Sequence, residues 1–135
     1  MINFDDLPQV ALDFMNHDHQ EAVEIYNRVE SCYRKGDVDA VLMNLKEIQT
    51  HSIEHFAQEE HEMKRYQFPP IQVHKEAHDS VLMVLDMVIK QLTDHRTLSK
   101  VSGYIEHEFP SWFAHHLSTM DKMTAEFIAA QKANK

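Results

Sequence analysis

Apolar residues recur along this chain at alternating steps of three and four over four long stretches, the spacing of a buried stripe on an amphipathic α-helix. Turn residues separate the stretches: Pro8 near the start, Gly36-Asp37 in the first third, Pro69-Pro70 in the middle, and Gly103 with Pro110 in the last third. The first helix is expected to begin at a cap between Asp13 and Asn16 and to stop at Gly36, with His19, Val23, Tyr26, Val29 and Tyr33 inward. The second starts after Asp37 as N-cap and runs to about Tyr66, roughly 42 Å at about 1.5 Å per residue. Its stripe reads Val41, Leu45, Ile48, Ser52, His55, Glu59 and Met63. The third places Pro70 at the first helical position and carries the most regular pattern, Ile71, His74, His78, Val81, Leu85, Val88 and Leu92. The fourth spans about Thr97 to Ala130, is broken or kinked near Pro110, and turns Phe113, His116, Met120, Met123 and Phe127 inward, with Asp121 at the edge of the stripe.

Four long helices with short connections predict an all-α fold, an up-down-up-down antiparallel four-helix bundle forming one domain over residues 1–135. Composition agrees, because 2 Gly and 4 Pro among 135 residues cannot close the many turns of a β-sandwich or barrel. Thirteen Lys and Arg against 22 Asp and Glu give a net charge of −9, which repels phosphate backbones and anionic lipid, so neither nucleic acid nor membrane is an expected partner. No apolar run approaches the roughly 20 residues of a membrane span, and the acidic start lacks a signal peptide's basic region. A soluble cytoplasmic protein is expected. The single cysteine, Cys32, makes no internal disulfide. The 8 methionines read as adaptable core filling.

Histidine changes the picture. There are 11, and every inward stripe carries at least one imidazole or carboxylate: His19 on the first, His55 and Glu59 on the second, His74 and His78 on the third, His116 with Asp121 on the fourth. Burying such groups without partners is unfavourable by several kcal/mol, and a shared cation resolves the problem. A four-residue step turns a helix through about 400°, so His55/Glu59 and His74/His78 each project from nearly one face as chelating pairs. The five-residue step from His116 to Asp121 rotates the second side chain by about 140° and carries it about 7.5 Å along the axis, which suits a carboxylate leaning across to a second ion.

Seven donors exceed what one first-row ion takes, so two metals fit better. Imidazole-rich donors with bridging carboxylates favour iron, zinc or manganese over magnesium or calcium. His51 with His55 reads as a chance pairing. His17, His51, His61, His95, His107 and His115 read as solvated or locally hydrogen-bonded side chains.

The linked set of His19, then His55-x-x-x-Glu59, then His74-x-x-x-His78, then His116-x-x-x-x-Asp121 resembles the hemerythrin family, particularly its single-domain bacterial members, over nearly the whole chain. The resemblance implies two iron ions, one held by His74, His78 and His116 and the other by His19 and His55, with Glu59 and Asp121 bridging both beside an oxo or hydroxo bridge. It implies one open coordination position, which the family uses for reversible dioxygen binding in storage, transport or delivery. By position relative to the ligands, Ala22, Phe56, Trp112, Phe113 and Leu117 are expected to line the dioxygen pocket. Many relatives carry a larger aliphatic side chain at the position of Ala22, so a wider path for water and faster oxidation are expected here. The competing readings are a di-iron oxidoreductase acting on peroxide or nitric oxide, an oxygen sensor working through a separate protein partner, and iron storage. The paired Glu-x-x-His motifs of ferritin-like oxidases do not occur in this sequence, and no acid placed to cleave an O–O bond is evident, so a binding protein is favoured over an enzyme.

Overall fold

The computed structural model describes residues 1–134, which contain helices and no strands. Helix α1 (Asp13–Arg34), α2 (Val38–Arg65) and α3 (Ile71–His95) pack in sequence as antiparallel neighbours. The fourth rod is composite: a π-helical stretch Tyr104–Glu108, α4 (Phe109–His116), a second π-helical stretch Leu117–Asp121, and α5 (Lys122–Ala133). The expected four-helix bundle is thus the observed fold. Among the described residues no helix is long and apolar enough to cross a membrane.

Several ends fall where the residues dictate. Gly36 stops α1 at φ +73°, a conformation disfavoured for residues with a Cβ, and the Asp37 carboxylate caps α2 by accepting from the Ala40 N–H at 3.1 Å. Three boundaries differ from expectation; the fourth rod starts at Ser102 and not near Thr97, which is extended and followed by a separate 3-10 turn, Leu98–Lys100. Neither Asp13 nor Asn16 caps α1, which starts at Asp13 after an extended Leu12. The Asn16 amide instead accepts from the Val10 N–H at 2.8 Å and donates to the Val10 carbonyl at 2.9 Å. Asn27 holds Ile2 in the same reciprocal way, at 3.0 Å in both directions, so two amides tie the amino-terminal arm along α1. Pro70 precedes α3 as its N-cap, with ψ 32°, instead of opening the helix.

The largest departure lies in the fourth rod, which does not break at Pro110. Proline lacks an N–H and crowds the carbonyl four residues back; the π-helical stretch before it, closed by the Phe109 N–H on the Tyr104 carbonyl, accommodates both within a continuous helix. The second π stretch absorbs one extra residue and shifts the inward face beyond it. Met123, expected inside, is 60% exposed, and Phe127 is only partly buried. Thr124, Ala125 and Ile128 take the inward positions with no exposure.

One end of the antiparallel bundle has an aliphatic core, with Val29, Val41, Leu45, Ile48, Leu92 and Ile105 among its buried members. At the other end, where α1 and α3 begin and α2 finishes, the core contains the buried polar residues His19, His55, Glu59, His74, His78, His116 and Asp121.

Candidate metal centre

All seven residues singled out in the sequence are buried together, none more than 8% exposed. They come from four separate rods, so only the packed bundle assembles them. The Leu117–Asp121 π turn brings in the last. Its i→i+5 bonding takes about one residue more per turn than an α-helix, so the five-residue step that would turn Asp121 aside returns it to the face of His116. The Asp121 Oδ1 lies 3.1 Å from His116 Nε2.

Each carboxylate divides its two oxygens between two groups of imidazoles. Asp121 Oδ1 lies 3.1 Å from both His74 Nε2 and His116 Nε2, while its Oδ2 lies 3.0 Å from His19 Nε2. Glu59 Oε1 lies 3.2 Å from His78 Nε2 and 3.4 Å from His74 Nε2, while its Oε2 contacts His55 Nε2. All five rings therefore turn Nε2 inward. The donors fall into two clusters, His74, His78, His116 and Asp121 in one and His19, His55 and Glu59 in the other, each with donor atoms within 4.8 Å of one another.

Outward partners fix three of the rings. His55 Nδ1 is 2.6 Å from Asp18 Oδ2 of α1, His78 Nδ1 is 3.0 Å from Glu60 Oε2 of α2, and His74 Nδ1 is 2.8 Å from Thr124 Oγ1 of α5. Such partners set the ring orientation and, by accepting from Nδ1–H, leave Nε2 directed at the centre as the nitrogen a metal would take in place of a proton. Aromatic rings close the remaining sides. Phe56 stacks on His78 with centroids 3.9 Å apart, and Trp112 stacks on His116 at 4.7 Å.

Burial opposes ionisation throughout the cluster, but the groups compensate one another. Burial disfavours the His55 cation, yet Glu59 and Asp18 outweigh it and push its pKa up to about 10. Burial and Asp121 press the Glu59 carboxyl upward, while His55 and His78 more than offset them and hold it below the ordinary carboxylate range. Asp121 is likewise raised by burial but pulled well below that range by His116, His19 and His74. Two anionic carboxylates thus sit in the protein core.

The donor set passes a chemical test for metal. Among the described residues, His78 Nε2 and both Glu59 oxygens make no hydrogen bond of good geometry despite full burial. His74 Nε2 and His116 Nε2 approach to 3.2 Å. With metal–nitrogen bonds of about 2.1 Å, adjacent donors on an octahedral ion lie about 3 Å apart, the spacing found among His74, His116 and Asp121. The buried cluster fits a metal site.

Beside the cluster lies a small cavity of about 30 Å³. Ala22, Phe56, Trp112 and Phe113 are among the residues that line it, together with Val81 and Tyr104, which sequence spacing did not single out for a pocket. Leu117 does not line it; that side chain is buried in the core, 1% exposed, at the start of the π turn. Of the remaining histidines, His17 lies on the surface 3.1 Å from Glu21, and His51 is half-buried behind His55. Sequence spacing gave no hint of Asp18, Glu60 or Thr124. Their signal is three-dimensional, since each reaches its ring from another helix.

A helical bundle that gathers imidazoles and carboxylates from all its rods into one dry core belongs to the class of metal-binding four-helix proteins. Within that class the match is specific: the model of the hemerythrin HHE cation binding domain covers residues 10–128, and the chain belongs to the hemerythrin family. It is 25% identical over 113 residues to a bacteriohemerythrin of Aquifex aeolicus (strain VF5), covering 84% of this chain and 86% of the relative. It is 33% identical over 79 residues to a bacteriohemerythrin of Ralstonia nicotianae (strain ATCC BAA-1114 / GMI1000), covering 58% of this chain and 56% of that protein.

Proposed function

We propose that this protein binds dioxygen reversibly at a non-haem di-iron centre, as a carrier or store and not as an enzyme. The proposed ligands are His74, His78 and His116 to one iron, His19 and His55 to the other, and Glu59 and Asp121 bridging the pair. The observation that carries this reading is the division of each carboxylate's oxygens between the two groups of imidazoles. Single-metal sites have no use for that arrangement. When bound, the iron pair, with its oxo or hydroxo bridge, supplies the electrons for reversible dioxygen binding.

The chain's own residues do the rest. Three imidazoles and two carboxylate oxygens face one position and two imidazoles and two carboxylate oxygens the other, so the His19/His55 side is one protein donor short and is where a ligand binds. Ala22 and Phe113 wall that side, and Phe56 and Trp112 cover His78 and His116, so apolar side chains restrict water at the rings, while Ser52, His51 and Tyr104 are polar groups on the same cavity wall. Asp18, a wall carboxylate outside the proposed ligand set, is committed to His55 Nδ1.

Anaerobic loading with ferrous iron, metal counting, and repeated cycles of air and vacuum followed by visible absorption test the reading. The expected result is two irons per chain and a colour that returns in every cycle. His19→Ala and His55→Ala are expected to abolish the oxygenated colour; an unchanged spectrum in either variant would refute the assignment.

A further inference from the structure

The cavity at the metal cluster meets a second, surface hollow of about 250 Å³ between α3 and the fourth rod, lined by Ser80, Val84 and Glu108 among others. The two share four wall residues, Val81, Tyr104, Phe109 and Trp112. Those side chains are the partition between solvent and the interior. Three are anchored. Val81 is β-branched and rotationally stiff, Phe109 is stacked between Tyr26 at 5.0 Å and Phe113 at 5.9 Å, and Trp112 lies on His116. Tyr104 is different. It is only 7% exposed, yet its hydroxyl has no hydrogen-bond partner among the described residues.

An unpartnered buried hydroxyl is unfavourable by about 1–3 kcal/mol, so this ring position is not held by a polar bond, and swinging it into the outer hollow breaks none and hydrates the oxygen. Burial and the neighbouring Glu108 raise the Tyr104 phenol above its ordinary pKa, so the group stays neutral and does not repel an apolar molecule. On its other side the cavity abuts a polar surface pocket with Glu21, Glu54 and Gln58, which shares Asp18, His51 and His55 with it. That mouth presents carboxylates to an incoming gas, whereas the α3 side presents a mostly apolar path of the kind that takes up xenon and similar solutes.

We propose that uncharged, dioxygen-sized ligands reach the metal-centre cavity through the hollow between α3 and the fourth rod, with Tyr104 as the gate. The identity of the physiological ligand rests on the oxygen-binding reading above; the route does not.

Three variants of the iron-loaded protein test it: Tyr104→Ala, which removes the gate; Val84→Trp, which plugs the outer hollow from an exposed position that leaves the core intact; and Glu54→Trp, which covers the polar mouth. Association and dissociation rates of dioxygen are measured by stopped flow, alongside equilibrium affinity, and xenon exchange into the cavity by NMR. A barrier on the route acts equally on both directions. Tyr104→Ala is therefore expected to raise both rates about tenfold and Val84→Trp to lower both about tenfold, with affinity unchanged and xenon exchange moving in parallel. Glu54→Trp is expected to leave the rates as they are. Unchanged rates in both route variants, a change confined to dissociation, or slowing by Glu54→Trp alone would overturn the proposal. A protein that takes up no dioxygen at all overturns the oxygen-binding reading, and xenon exchange in the same variants then decides the route by the same criteria.

Discussion

Asp18 of α1 accepts the Nδ1 proton of His55 on α2 across 2.6 Å, so the orientation of a proposed ligand on one helix is set by a carboxylate on its neighbour. Removing such a partner typically weakens metal binding 10- to 100-fold. Asp18→Ala is expected to lower iron retention by about that factor in competition with a chelator, while the helical circular dichroism is unchanged. Equal retention would show that His55 is positioned by packing alone.

The π turn at Leu117–Asp121 makes a second expectation. Ordinary helical periodicity puts Met123 in the core, where truncation would be severe, but the structure exposes it and buries Ile128 instead. Met123→Lys is expected to change stability by less than about 0.5 kcal/mol. Ile128→Ala is expected to lower it by about 2–5 kcal/mol. Urea denaturation of the two variants separates the shifted register from the regular one.

Much of this protein is legible in its sequence because its chemistry sits on its periodicity. His74 and His78 occupy positions whose neighbours in the repeat are aliphatic, so their burial follows from the pattern alone, and His55 with Glu59 reads the same way. The fourth rod is less legible. A π turn has no signature in three-and-four spacing, and it converts the awkward five-residue step into the one that aligns Asp121 with His116. Asp18, Glu60, Thr124 and Tyr104 lie outside the pattern altogether, since what makes them matter is the ring, or the cavity, that another helix brings beside them.

Away from the metal cluster, Glu30 offers a clean acid-sensitive element. Burial acts to raise its carboxyl, but the Met1 ammonium at 3.0 Å, Arg34 at 2.9 Å and the Tyr26 hydroxyl outweigh this and hold it below the ordinary glutamate value of 4.5. A carboxyl depressed by folding binds its proton more readily when unfolded. Its stabilisation is therefore complete above about pH 4.5 and is lost as the pH falls through the lower folded value. Glu30→Gln is expected to flatten the acid limb of the stability profile relative to the parent protein, seen as a smaller difference between the two in urea titrations at pH 3 than at pH 6. Parallel profiles would remove Glu30 from the acid response.

Ala22 lies one helical turn beyond His19 on the wall of the 30 Å³ cavity. Ala22→Val adds two methyl groups to that wall and leaves less room for water beside the centre. The oxygenated form of this variant is expected to oxidise more slowly, by about tenfold if the narrowing adds about 1.4 kcal/mol to the barrier. Loss of the oxygenated absorption with time in air-saturated buffer measures it. An unaltered decay would place water's approach elsewhere.

The outward bonds of His55, His78 and His74 each run to a different helix from the one bearing the ring. Slippage of any rod past its neighbour, by a fraction of an ångström and well short of unfolding, therefore tilts at least one donor. A loaded centre of this construction acts as a built-in strain gauge: on warming, its colour should fade before the helices melt, reporting loosened packing that a measure of secondary structure cannot see.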